Sequence, residues 1–153
     1  MDVKRINPIV ESTLTVLSTM TMIDAKPQPP QLKKDRRALG DITGKIDFSG
    51  TNNHGSLAIS FSKPVILDIT ERMLGERCND IDETVIDLVG EMTNMITGGA
   101  KRLYAESGLD FDLTRPTTLV GDQVDVEHSV DSTIIVVPFE TAEGRFYIEF
   151  GFD

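Results

Sequence analysis

The sequence predicts an α+β (layered α/β) fold, an antiparallel β-sheet with three helices packed over it. Two patterns carry that expectation. Apolar residues recur at helical spacing over 6–22, 64–75 and 81–106. Alternating apolar residues flank glycine-bearing turns over 40–62 and again over 132–152. With 153 residues, the chain is long enough for one domain, 1–153, with a proper core.

The first helix takes Asn7 as its cap and Pro8 in its first turn, with Ile9, Val10, Leu14, Leu17 and Met20 on one face. Residues 24–37, rich in proline and charge, read as an extended connection ending in a short edge strand. Ile46 and Phe48 lead into a turn that contains His54. Leu57, Ile59 and Phe61 then alternate with Ala58, Ser60 and Ser62 as a half-buried strand. Ser62-Lys63-Pro64 opens the second helix and Gly75 stops it. Asp80 and Glu83 form a D-x-x-E start signal for the third helix, which runs toward Gly108. Residues 110–120 are strand-like. The last two strands form a hairpin closed at Gly144, with Phe146, Ile148, Phe150 and Phe152 sharing a face.

Composition removes several functions. Lys and Arg number 15 against 25 Asp and Glu, a net charge of −10, which argues against a partner held by phosphate charge, nucleic acid above all. There is no Trp to stack bases. Cys78 is alone, so no intramolecular disulfide forms; the adjacent Arg77 would act to lower its pKa, but a lone Cys beside an Arg is far more often incidental. His54 and His128 with one cysteine make no zinc cage. No apolar run reaches membrane-spanning length and the N-terminus lacks a signal-peptide pattern, so a cytoplasmic protein away from membranes is expected. The Gly98-Gly99 pair lies inside a helix rather than after a strand, which disfavours a nucleotide-binding loop.

The long helix is the informative element. Turned at about 100° per residue from Val85, the residues Leu88, Val89, Met92, Ile96, Gly99, Ala100 and Leu103 fall within about 60° of zero. Asp87, Glu91, Asn94, Gly98 and Lys101 form a polar stripe on the opposite side. Charges are what any solvated face carries. Asn94 and Gly98 are different, because Asn competes for backbone groups and an interior Gly costs about 1 kcal/mol against Ala. Close packing accounts for Gly99 on the core side. A small residue on the outer face, one turn beyond an Asn, leaves room for another surface to approach.

Asp87-x-x-x-Glu91-x-x-Asn94, continued by Met95-Ile96-Thr97-Gly98-Gly99-Ala100-Lys101, resembles the signature of the CheC/CheX/FliY phosphatases of bacterial chemotaxis. That pattern continues to a proline; Pro116 follows Asn94 after 21 residues, one fewer than in the family. In members that carry the element twice, the first helix has a copy. Here that helix reads Glu11-Ser12-Thr13-Leu14, with Leu in the Asn place, so the single late copy resembles the CheX branch. The resemblance implies hydrolysis of the aspartyl phosphate on a CheY-like response regulator. Glu91 and Asn94 are then the catalytic pair, Asn94 holding the attacking water and Glu91 contacting the regulator's lysine. Asp87, Gly98 and Lys101 are partner-binding. It also implies no cofactor of the chain's own, Mg²⁺ being carried by the regulator, and a homodimer built around a shared sheet. Two other readings use the same features: a non-catalytic module that docks a regulator, and a structural dimer subunit joined through the closing hairpin.

Overall fold

The computed structural model describes residues 3–153, with side-chain surroundings from Arg5 onward. Among them three helices, α1 (Val3–Thr21), α2 (Lys63–Leu74) and α3 (Glu83–Glu106), pack on one antiparallel sheet. Its central strands are β3 (Ile42–Ser49), β4 (His54–Phe61), β7 (Ile135–Thr141) and β8 (Gly144–Phe152), in the order β7-β8-β4-β3. Short pieces flank them. β1 (Lys26–Pro27) and β2 (Gln31–Leu32) pair β7, while β5 (Asp112–Leu113) and β6 (Thr117–Val120) pair β3.

Alternation sorts the strands into two faces. Ile42, Ile46 and Phe48 of β3, Leu57, Ile59 and Phe61 of β4, and Phe146, Ile148 and Phe150 of β8 point to the helices and are buried. α1 contributes Ile6, Ile9 and Leu17, and α2 contributes Val65, Ile66 and Ile69. An aromatic group of Phe48, Tyr104, Phe111 and Phe152 packs at one end, with ring centroids 5.4–6.2 Å apart.

The other sheet face is covered by chain rather than by helix. Residues 36–38 pair with 124–126 and bring Ala38 and Val126 onto Ala58. Beside them lies a buried polar chain. Glu149 accepts from Lys33 at 2.5 Å and meets His128 Nε2 at 2.8 Å, while His128 Nδ1 lies 2.7 Å from Ser56 Oγ. Buried charges require such partners. Burial pushes Asp47 upward, but hydrogen bonds from Ser129, Lys45 and Ser56 and the Lys45 charge outweigh it and hold the carboxyl below its usual range.

The predicted boundaries move in four places. α1 starts at Val3, so Asn7 is an exposed helical residue, not a cap, and Pro8 lies inside the helix. Burial of Ile6 and the Tyr104 hydroxyl, which donates to Arg5 O, draw the helix past that point. Met20 is 44% exposed and does not join the core. The cap of α3 is Asp82, whose carboxylate accepts from Val85 N at 3.1 Å; Asp80 instead accepts from Ile81 N and pairs with Lys63. His54 begins β4 opposite Ser49 and meets Ser129 rather than sitting within the turn. Gly75 ends α2 with φ of 73°, a left-handed C-cap as expected.

α1 and α3 approach closely where Gly99 faces Ser12, whose hydroxyl donates to Ile96 O at 2.6 Å. A Cβ at residue 99 would collide with that hydroxyl. Gly99→Ala is therefore expected to destabilise the fold by about 1–3 kcal/mol, read as a lower urea midpoint.

Candidate functional site

α3 is held at its start, its middle and its end. The Asp82 cap sets its first turn. Val85, Leu88, Val89, Met92, Ile96, Ala100 and Tyr104 are buried along its inner face. Thr93 and Thr97 are buried as well. Their hydroxyls donate back to Val89 O at 2.8 Å and Thr93 O at 2.7 Å, so burial leaves no polar group unpaired. Thr93 fits over Gly44 of β3, where a Cβ would strike its hydroxyl. Leu103, expected in the core, is half-buried, and Tyr104 takes the inner position beside it.

These contacts turn the opposite face to solvent. Asp87, Glu91, Asn94 and Gly98 are exposed and Lys101 is half-buried, so all five predicted site residues lie on one stripe of one helix. Among the described residues, the side chains of Glu91, Asn94 and Lys101 make no hydrogen bond or ion pair with the rest of the chain. Glu91 and Asn94 are neighbours on the surface, three positions and about 5–6 Å apart at Cβ.

Clearance around Asn94 is two-sided. Residues 90 and 98, its i−4 and i+4 neighbours, are both glycine. Helical side chains lean toward the N-terminus, so a side chain at 98 would lie over Asn94, and Asn94 itself leans over residue 90. A Cβ at 98 meets nothing within 4 Å, and one at 90 meets only Thr118 Oγ1 at 3.8 Å. Gly90 therefore belongs with the site. The i−4 spacing from Asn94 is the signal that could have assigned it from sequence.

The stripe has acceptors and donors but no nucleophile–base pair. A carboxylate offers only acceptors, and an amide offers both an acceptor and two donors. Such a surface can orient a water or grip a cationic group supplied by another molecule. Cys78 lies elsewhere, in the α2–α3 connection. Desolvation and the charges of Asp82 and Glu76 push its thiol above the ordinary value, opposite to the lowering Arg77 suggests from sequence. Among the described residues no helix is long and apolar enough to cross a membrane.

The family model described as chemotaxis phosphatase CheX matches residues 42–140, which contain the whole stripe. The chain is 25% identical over 128 residues to the CheY-P phosphatase CheX of Thermotoga maritima, covering 83% of this chain and 82% of that one. A crystal structure of a CheC-like superfamily protein from Shewanella sp. PV-4 is 45% identical with a TM-score of 0.93, over 100% of this chain and 99% of the other. The chemotaxis protein CheX from Vibrio vulnificus is 44% identical with a TM-score of 0.91, over 97% and 99%.

Because their side-chain ends make no hydrogen bond or ion pair among the described residues, Glu91→Gln and Asn94→Ala are expected to leave stability within about 0.5 kcal/mol of the parent in urea unfolding. Gly98→Ala is expected to raise it by up to about 1 kcal/mol, opposite in sign to the same change at 99.

Proposed function

The chain belongs to the CheX family of chemotaxis phosphatases, and from that membership we propose that it dephosphorylates a CheY-like response regulator with Glu91 and Asn94 as its working groups. Water attacks the phosphorus of the regulator's aspartyl phosphate, the bond from phosphorus to the carboxyl oxygen breaks, and inorganic phosphate leaves a free aspartate. The regulator brings the phosphoryl group, with its own Mg²⁺ and lysine to neutralise charge, so this chain has to position rather than activate.

Asn94 is suited to hold the water. Its amide accepts one hydrogen bond from the water and donates another, fixing orientation without taking a proton. Glu91 is suited to take the regulator's lysine as an ion pair, which strengthens as the interface excludes solvent. Asp87 and Lys101 bracket the pair along the same stripe and would touch the partner at its rim, where charges tune association more than affinity. Gly98 leaves the approach open.

One observation carries this reading: an amide and a carboxylate stand side by side on a rigid helix, with no partner among the described residues and with bare backbone on both sides of the amide. Phosphate release from a phosphorylated regulator tests it. Asn94→Ala is expected to slow release by roughly 10²–10³-fold, the cost of one positioned hydrogen-bonding group. Gly98→Leu, which covers Asn94 without removing it, is expected to weaken regulator binding and slow release together. Parent-like turnover by the Asn94 variant excludes the assignment. Regulator binding by the parent protein with no change in phosphate lifetime would instead mark a docking module.

A further inference from the structure

We propose that Thr118, on the edge strand β6 beside the stripe, is a further contact for the regulator, its hydroxyl hydrogen-bonding the rim of the phosphorylation site when that site is seated over Asn94. The inference rests on the proposed phosphatase reading and extends it from one helix to a second element. A specific interface covers roughly 800 Å² and about 20–30 residues on each partner. The five residues of the stripe fall short of that, so a neighbouring surface has to share the contact.

Register identifies that surface. Thr118 pairs with Gly44 and Val120 with Ile42, and paired residues point to the same side of a sheet. Gly44 lies under Thr93, and Ile42 is in the core beneath the helices, so Thr118 and Val120 face the helix side. β6 has β3 as its one strand partner, which puts both residues at the outer margin of the sheet, along the flank of α3. Leu119 points the other way and packs with Ala38, Ala58 and Val126. Val120 is 49% exposed, so this flank is open to solvent.

Two observations single out Thr118 on it. Outside α3, the nearest atom to a Cβ built at residue 90 is Thr118 Oγ1, at 3.8 Å. The Asn94 side chain leans over residue 90, so this hydroxyl borders the ground that a visitor to the amide must cross. It is also free. The hydroxyls of Thr13, Thr21, Thr70, Thr93 and Thr97 each donate to the carbonyl four residues earlier. That of Thr118 has no hydrogen-bond partner among the described residues and keeps some exposure to solvent. It stands beside the middle of α3, whereas the start of α1 packs at the far end, where Arg5 meets Tyr104 and Phe152. A hydroxyl both donates and accepts, so it can pair with an N–H or a carbonyl of a loop around the phosphorylated aspartate. An alanine at 90 would meet that hydroxyl at an ordinary contact distance and would favour the helix. Glycine there leaves the hydroxyl uncovered.

Binding of a CheY-like regulator of the same cell, loaded with beryllofluoride and Mg²⁺ in place of the phosphoryl group, reads the contact, together with KM and kcat for phosphate release. Thr118→Val keeps the shape and removes the hydroxyl. It is expected to raise Kd and KM about three- to tenfold, with kcat within about twofold of the parent. Thr118→Ser, which keeps the hydroxyl, is expected to stay within about twofold in all three. Gly90→Ala is expected to unfold at higher urea than the parent yet bind the regulator more weakly, a pairing that a purely structural role for residue 90 does not produce. Unchanged Kd and KM in folded Thr118→Val protein overturn the proposal. So does an equal loss in Thr118→Ser, which would make shape rather than the hydroxyl the cause. If Asn94→Ala abolishes turnover while Thr118→Val stays parent-like, this contact alone falls. A parent protein that neither binds the regulator nor speeds phosphate release overturns the phosphatase reading, and this contact with it.

Discussion

The rotational setting of α3 about its own axis is the constraint on which the outer surface depends. At about 100° per residue, a slip of one position would swing Asn94 off the crest of the exposed stripe. Two close approaches prevent that slip. On one flank Gly99 admits Ser12, whose hydroxyl ties α1 to Ile96 O. On the other, Gly44 of the sheet admits Thr93. Neither place has room for a Cβ, so any rotation drives atoms into contact rather than into space. The ends reinforce the setting, through the Asp82 cap and through Tyr104, whose phenol is buried, donates to Arg5 O and is held neutral by that burial.

Stiffness matters because a group that steers water gains its effect from position. Misplacement by about 1 Å costs on the order of 10²-fold in rate. The proposed pair rides on a helix whose inner face is packed, not on a loop. The same helix gives up propensity on its outside, where Gly90 and Gly98 are each worth about 1 kcal/mol less than alanine. The buried inner face offsets that loss. The arrangement separates roles by direction: residues pointing in set stability and orientation, while the side chains of Glu91, Asn94 and Lys101 point out and have no partner among the described residues.

The helix periods, both hairpins and the outward direction of Glu91, Asn94 and Gly98 were legible in the sequence, because each is written in residues close together along the chain. What was misread has a physical reason in each case. Asp80 and Asp82 both precede α3, and either carboxylate can cap, so the D-x-x-E spacing pointed to the wrong one. Asn7-Pro8 has the local chemistry of a helix start, yet tertiary burial of Ile6 carried the helix further back. Thr93 and Thr97 went unassigned, because a threonine enters a core only where its hydroxyl is satisfied, as both are here within the helix. The polar chain on the far sheet face was invisible, since Lys33 and Glu149 stand 116 positions apart and Ser56 and His128 stand 72 apart.

Thr118 apart, all the groups proposed to meet the regulator lie on one uninterrupted piece of backbone, from Asp87 to Lys101, whose inward residues are the ones packed into the core. A lineage can therefore retarget such a protein by exchanging the solvent-side letters of a single segment, with no compensating change in the interior. The same economy makes the segment transplantable: a foreign helix of matching inner face, set on this scaffold, would arrive with its own recognition already in register.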